Sequence, residues 1–161
     1  MSAKEMRQNS RRSFLALISA LFVAPLFTVN AQGLVAFDRS ALSIKTAKGR
    51  FKFNIEMAIS RRQQSQGLMF RRSLAADAGM LFDYRIPQRI SMWMKNTFIP
   101  LDMIFIDQDG KVINIAERTI PHSEVVISSK TPARAVLEVN GGTASRLGIR
   151  SGDQVLHAIF K

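Results

Sequence analysis

The run Trp93-Met94-Lys95-Asn96-Thr97-Phe98-Ile99-Pro100-Leu101-Asp102 holds the chain's only Trp, a cation, an amide, a hydroxyl and a carboxylate within ten positions, and it leads into the apolar segment Met103-Ile104-Phe105-Ile106. A plain strand needs no such mixture. In one arrangement the segment lines a pocket. Trp93 is then an apolar wall, Lys95 and the upstream Arg71 hold an anion, Asn96 orients it, and Thr97 adds a polar contact, because binding pockets set a few placed polar groups among apolar walls. In the other arrangement Asn96, Thr97 and Asp102 hydrogen-bond their own loop and Pro100 fixes its shape.

A second carboxylate, Glu138, sits between Leu137 and Val139 in an apolar run. Strand alternation would turn it to solvent. Burial would instead pair it with Arg71 or Lys95, or set it beside Asp102 as an acid–base pair with shifted proton affinities. Asp102 and Glu138 are therefore the candidate catalytic residues, for a hydrolase or lyase acting on an envelope polymer.

Thioethers are a third resource. Met69, Met80 and Met94 are soft donors that suit Cu(I), and the neighbouring Trp93 ring could lie against a cation. The same side chains fill irregular gaps in cores, and the neighbours Leu68, Phe70, Leu81 and Phe82 favour that role. No cofactor is predicted; copper is the one metal these residue types would suit.

The elements that must position these groups follow from hydrophobic periodicity. Ala41–Thr46 alternates, Lys48-Gly49 turns, and Phe51, Phe53, Ile55 and Met57 share one face of a second strand. Ser60 caps a short helix to Gln66, ended by Gly67. A loop over 71–78 precedes the short apolar piece Gly79–Phe82, and Ile90–Met94 reads as a strand. Met103–Ile106 and Val112–Ile115 make a hairpin about Asp107-Gln108-Asp109-Gly110. A calcium loop would need ligands where Lys111 and Val112 stand. A long loop spans Ile120–Pro132. Ala135–Val139 is a strand ending at Gly141-Gly142, Thr143–Leu147 a helix stopped by Gly148, and Val155–Phe160 a closing strand. Seven or eight short strands with two short helices predict a mainly β fold, a small barrel-like or sandwich domain.

Ser10-Arg11-Arg12-Ser13-Phe14-Leu15 and the apolar run to Val29 predict a twin-arginine signal peptide over 1–31, cleaved near Val29-Asn30-Ala31 and read by the twin-arginine export machinery, which carries folded proteins. The run is too short and interrupted to span a bilayer comfortably, so no stable membrane span is expected in the mature form. Residues 32–49 would be an N-terminal extension and first strand, and 50–161 the main domain. Export would place the protein in the periplasm or outside the cell.

The 161-residue chain carries 23 basic and 12 acidic side chains and no Cys. Removing the signal (four basic, one acidic) leaves 19 and 11, a net charge of +8. The absence of Cys excludes disulfides, thiol catalysis, iron–sulfur clusters and Cys-based zinc sites. The basic residues are dispersed rather than striped with aromatics, so nucleic acid is not the expected partner; an anionic small molecule or envelope polymer is. No phosphate loop, nucleophile elbow, metalloprotease helix or dinucleotide fingerprint is present.

Gly67-Leu68-Met69-Phe70-Arg71, Gly79-Met80-Leu81-Phe82, Trp93-Met94-Lys95-Asn96-Thr97 with Pro100-Leu101-Asp102, Leu137-Glu138 and Gly152-Asp153 occur in one order, and this series resembles the domain of unknown function 192 family over residues 50–160. The resemblance implies a small, mostly β, barrel-like domain of a kind often exported, and it implies no activity. Leu147–Val155 is also similar to the Gly-Asp turn of PDZ domains, where it is a structural turn before a strand. A peptide-binding module using an exposed strand edge is thus a third possibility beside a binding domain and an enzyme.

Overall fold

The structure, a computed structural model, describes residues 35–161. The export signal expected over 1–31 lies outside them. Among the described residues no helix is long and apolar enough to cross a membrane.

Strands β1 (Asp38–Thr46) and β2 (Gly49–Ala58) form a hairpin in continuous register. Phe53, Ile55 and Met57 face the core, as their alternation requires. Helix α1 (Arg61–Gln66) starts where expected. The Ser60 hydroxyl accepts from the Gln63 N–H, and the Ser60 N–H donates to the Gln63 Oε1, a reciprocal capping box. The connection through α1 carries the chain over, so that β3 (Ala78–Gln88) pairs with β2 in parallel. There follow β4 (Ser91–Met92), β5 (Leu101–Ile106), β6 (Val112–Thr119), β7 (Ile127–Ser128), β8 (Ala133–Asn140), α2 (Thr143–Leu147) and β9 (Gln154–Leu156).

Seven strands form one mixed sheet in the order β6-β5-β8-β3-β2-β1-β9, and β4 and β7 form a small separate ribbon. The large sheet curls into a half-barrel, and its far edge returns to the β5–β6 turn. Lys111 bridges Gln154, the Val155 N–H donates to the Gly110 carbonyl at 2.7 Å, and the Val112 N–H donates to that of Asp153 at 2.9 Å. Gly110 permits this closure. Its φ is +80°, and a Cβ there would stand 2.6 Å from the Val155 carbonyl oxygen.

The sheet buries both faces. Ile104, Ile106, Leu137 and Val139 pack inside the curl with Leu42, Ile44 and Phe53, and Ala144 of α2 closes that core. Met80, Phe82, Met103, Phe105 and Val136 point the other way, into a second core with Leu68 and Met94 from the loops that follow α1 and β4. Burial on both faces explains why β5 and β8 read as continuous apolar runs rather than alternating ones.

Four elements differ from the sequence-based expectation. The stretch Ile120–Pro132 is not all loop, because Ile127–Ser128 pairs with β4 as β7. The apolar piece at Gly79–Phe82 is the start of an 11-residue strand that continues past an irregularity between Asp83 and Gln88. Ile90–Met94 is a strand only over Ser91–Met92, because Ile90 and Met94 donate their N–H groups to the Ser129 hydroxyl and the Ser123 carbonyl. The closing strand stops at Leu156, where the His157 ring accepts from the Ile159 N–H and winds Ala158–Phe160 into a 3₁₀ turn.

Candidate functional site

The ten-residue segment divides into scaffold and surface. Asp102 is fully buried and belongs to the scaffold. Its Oδ1 accepts from the backbone N–H groups of Arg118 and Gly142 at 2.8 and 2.9 Å, and its Oδ2 from that of Ala144 at 2.8 Å. One carboxylate thus ties β5 to the end of β6 and serves the start of α2, whose own N-cap, Gly142, has no side chain to do so. Thr97 is also buried, with its hydroxyl 3.3 Å from the Lys95 carbonyl and its N–H donating to the Met94 carbonyl. Asn96 has φ +55°, a left-handed conformation that Asn tolerates. Of these three, Thr97 alone bonds within its own loop; Asp102 ties together elements distant in the chain, and the Asn96 amide faces Met69 of the loop after α1.

Arg71 is not a free anion holder. It forms a two-pronged bond to Glu56 of β2, Nη1 to Oε1 at 2.9 Å and Nη2 to Oε2 at 2.5 Å, and its guanidinium lies 5.8 Å from the Phe37 ring centroid. Hydrogen bonding by Arg71 holds the Glu56 carboxyl below its usual range, and the same bond raises the Arg71 pKa. Lys95 makes an exposed pair with Glu124 at 3.4 Å, and its ammonium sits 5.3 Å from the Trp93 ring centroid. The cation on Trp93 is therefore Lys95, and Trp93, 48% exposed, faces solvent while its neighbour Met94 is buried in the core.

Asp102 and Glu138 do not come together. Asp102 pairs in register with Val139, and Met103 with Glu138. Met103 belongs to the outer core, Val139 to the inner one. Asp102 closes the inner side and Glu138 looks into the outer one, so the sheet separates them and they form no acid–base pair. Arg71 and Lys95 do not pair with Glu138 either, since each has another carboxylate. Glu138 is 4% exposed, and burial pushes its pKa up to about 8. Tyr84, on the same face, is pushed up to about 12, chiefly by burial and then by the Glu138 charge. Of the candidate thioethers, Met80 and Met94 share the outer core, and the half-buried Met69 has the Asn96 amide nitrogen 4.0 Å from its sulfur.

The surface half of the site is built from three loops that sequence reasoning did not join. The loop after α1, the loop before β5 and the loop after β6 are laced by backbone bonds: Phe70 N–H to the Asn96 carbonyl at 2.9 Å, His122 N–H to that of Thr97 at 3.2 Å, and Met94 N–H to that of Ser123 at 2.9 Å. Of the five non-glycine residues with positive φ among the described residues, Phe70, Asn96 and His122 lie in these loops, and Arg118 lies just before the third. For residues other than Asn this conformation costs about 1–2 kcal/mol each, so the surrounding bonds hold it in place.

What the loops present is aromatic and basic. Phe70, 52% exposed, meets Phe98 edge-to-face at 6.2 Å, Phe98 lies 5.3 Å from the His122 ring, and the Arg72 guanidinium lies 5.7 Å from the Phe98 centroid. An open cleft of about 480 Å³ is lined by Arg72, Phe98 and His122. Phe70, Arg72, Phe98 and His122 are the residues the sequence reasoning missed. Phe98 inside the polar run, and the second Arg of the Arg71-Arg72 doublet, were the available signals.

Two solved structures are similar over most of the chain. A protein described as a candidate transcription regulator from Sinorhizobium meliloti 1021 is 44% identical with a TM-score of 0.76, and the match covers 79% of this chain and 99% of that one. A protein of unknown function from Novosphingobium aromaticivorans DSM 12444 is 40% identical with a TM-score of 0.75, covering 77% and 89%. No curated protein matches the chain. The family model described as DUF192, Uncharacterized ACR, matches residues 43–157. By that match, and by the half-barrel it shares with these relatives, this chain belongs to the domain of unknown function 192 family.

Proposed function

We propose that this protein is an exported binding domain whose three laced loops hold an anionic polymer of the cell envelope. The observation that supports this reading is the set of exposed aromatic rings and cations fixed on loops whose backbone is locally strained. Phe70, Trp93 and Phe98 offer flat apolar faces for sugar rings. Arg72 forms no ion pair among the described residues, and the one ion pair of Lys95, beside its contact with the Trp93 ring, is exposed and worth roughly 0–1 kcal/mol, so a ligand carboxylate can displace it. The cleft is open and lined by three side chains rather than closed around a small molecule, which favours a polymer. The twin-arginine pattern at Arg11-Arg12 supports export to the compartment where such polymers lie.

The test is retention of the mature chain on purified peptidoglycan sacculi by co-sedimentation, and on a bead-immobilised polyuronate and a bead-immobilised DNA duplex at the same salt. Wild type is expected to bind one of the two anionic polysaccharides and not DNA. Phe98→Ala and Arg72→Ala should each weaken binding about tenfold, the equivalent of about 1.4 kcal/mol, with the melting temperature unchanged to within about 3 °C. Equal retention of wild type and both variants, retention on DNA alone, or no retention on any probe overturns the proposal.

A further inference from the structure

Glu138 plays no part in the surface just described. It lies on β8 in direct register with Met80 of β3 on one side and Met103 of β5 on the other. Its neighbours Leu137 and Val139 belong to the inner core, whereas Met80 and Met103 belong to the outer one, so the carboxyl and both thioethers stand in one row on one face. Opposed residues in such a row have Cβ atoms roughly 5 Å apart, and a thioether sulfur two bonds beyond Cβ can lean over its neighbour. The row is tightly set: a Cβ on Gly79, next to Met80, would stand 2.7 Å from the Glu138 carbonyl oxygen.

The Glu138 carboxyl is more than nine-tenths buried and has no hydrogen-bond partner among the described residues. Among those residues no fully enclosed side-chain oxygen lacks a partner, so the carboxyl oxygens keep a small area within reach of solvent, and of an ion. A buried polar group without a protein partner is costly to retain unless something else meets it. Two neutral soft sulfurs and one carboxylate oxygen are a donor set for a soft metal. Charge decides its valence. Among the described residues no cation pairs with Glu138, so a monovalent ion neutralises the site and a divalent one would leave a buried positive charge.

We propose that Met80, Met103 and Glu138 form a buried site for a single soft monovalent cation, Cu(I), independent of the polymer surface. Met94, whose sulfur lies 3.1 Å from the Thr119 hydroxyl, remains a packing residue. The experiment titrates the mature chain anaerobically with Cu(I) against a chromophoric chelator, repeats it with Ag(I) and Zn(II), and records the copper-edge absorption spectrum of the loaded chain. One Cu(I) or Ag(I) per chain is expected, with sulfur scatterers and no competing Zn(II). Because loss of a mere outer-shell partner can cost up to about 100-fold in metal affinity, the Met80→Leu/Met103→Leu double variant should lose at least that. Met→Leu conserves volume, so the fold should persist; Met57→Leu/Met92→Leu is the control and should bind like wild type. Unchanged affinity in Met80→Leu/Met103→Leu, a spectrum with no sulfur, equal binding of Zn(II), or no binding at all overturns the proposal. Polymer retention on the same samples separates this outcome from that of the surface site.

Discussion

Glu138 illustrates how one side chain's behaviour is set by its face of the sheet. Its carboxyl is ionised in the unfolded chain above about pH 4.5, whereas burial holds it protonated in the fold up to about pH 8. Below pH 4.5 both states carry the proton and the group is neutral to stability. Between these values only the folded state keeps it, so stability falls as pH rises, at up to about 1.4 kcal/mol per pH unit, and levels out above pH 8. Metal-free protein is therefore expected to lose on the order of 4 kcal/mol between pH 4.5 and 8 through this residue, and Glu138→Gln should abolish that fall. Urea unfolding of both chains across the range checks it; parallel curves would show that the carboxyl is hydrated in the fold. Glu56 acts in the opposite sense. Its lowered pKa, caused by Arg71, stabilises the fold above its ordinary range, and that contribution is lost as pH falls through the lowered value. The pair is partly exposed, so solvent screening keeps it small.

At the scale of elements, Asp102 is the residue through which β5, the end of β6 and the start of α2 hold together. Asp102→Ala would leave three backbone N–H donors without their acceptor in a buried place. The expected loss is about 3–5 kcal/mol, readable as a lower midpoint in urea unfolding. Asp102→Asn keeps one acceptor oxygen and should cost less. A loss below about 1 kcal/mol for the alanine variant would mean that water replaces the carboxylate. Much at this scale was legible in sequence. Ser60 as a cap, with Gly67 behind it as a stop, marked α1 because capping is local chemistry. Asp107 ordered its own turn by accepting from the N–H groups of Asp109 and Lys111. Asp153 did the same for Arg150, as the Gly-Asp turn implied. The parallel pairing of β2 with β3 was not legible, because nothing in either strand records which neighbour it takes.

The whole molecule depends on the far edge of the sheet returning to the β5–β6 turn, and that return passes through Gly110. Gly110→Ala would place a Cβ against the Val155 carbonyl at a φ of +80°. Strain and steric conflict together should cost about 2–3 kcal/mol and raise hydrogen exchange at Val155 and Val112 before the rest of the sheet. Uniform exchange across all strands would show instead that closure is not a separable event.

Composition, capping and turn chemistry act within a few residues, so the sequence by itself determined a mainly β domain without cysteine, its two short helices, its tightest turns and its family. The facing of side chains is decided across strands that are distant in the chain. Only the tertiary structure could show that Arg71 is tied to Glu56, that Asp102 and Glu138 are divided by the sheet, that Glu138 stands between two methionines, and that Phe70, Phe98 and His122 meet on one surface. Strand order and register set the neighbours of Asp102 and Glu138, and a shift of one residue in pairing would have turned each to the other face, whereas the loop residues meet through backbone bonds between loops distant in the chain.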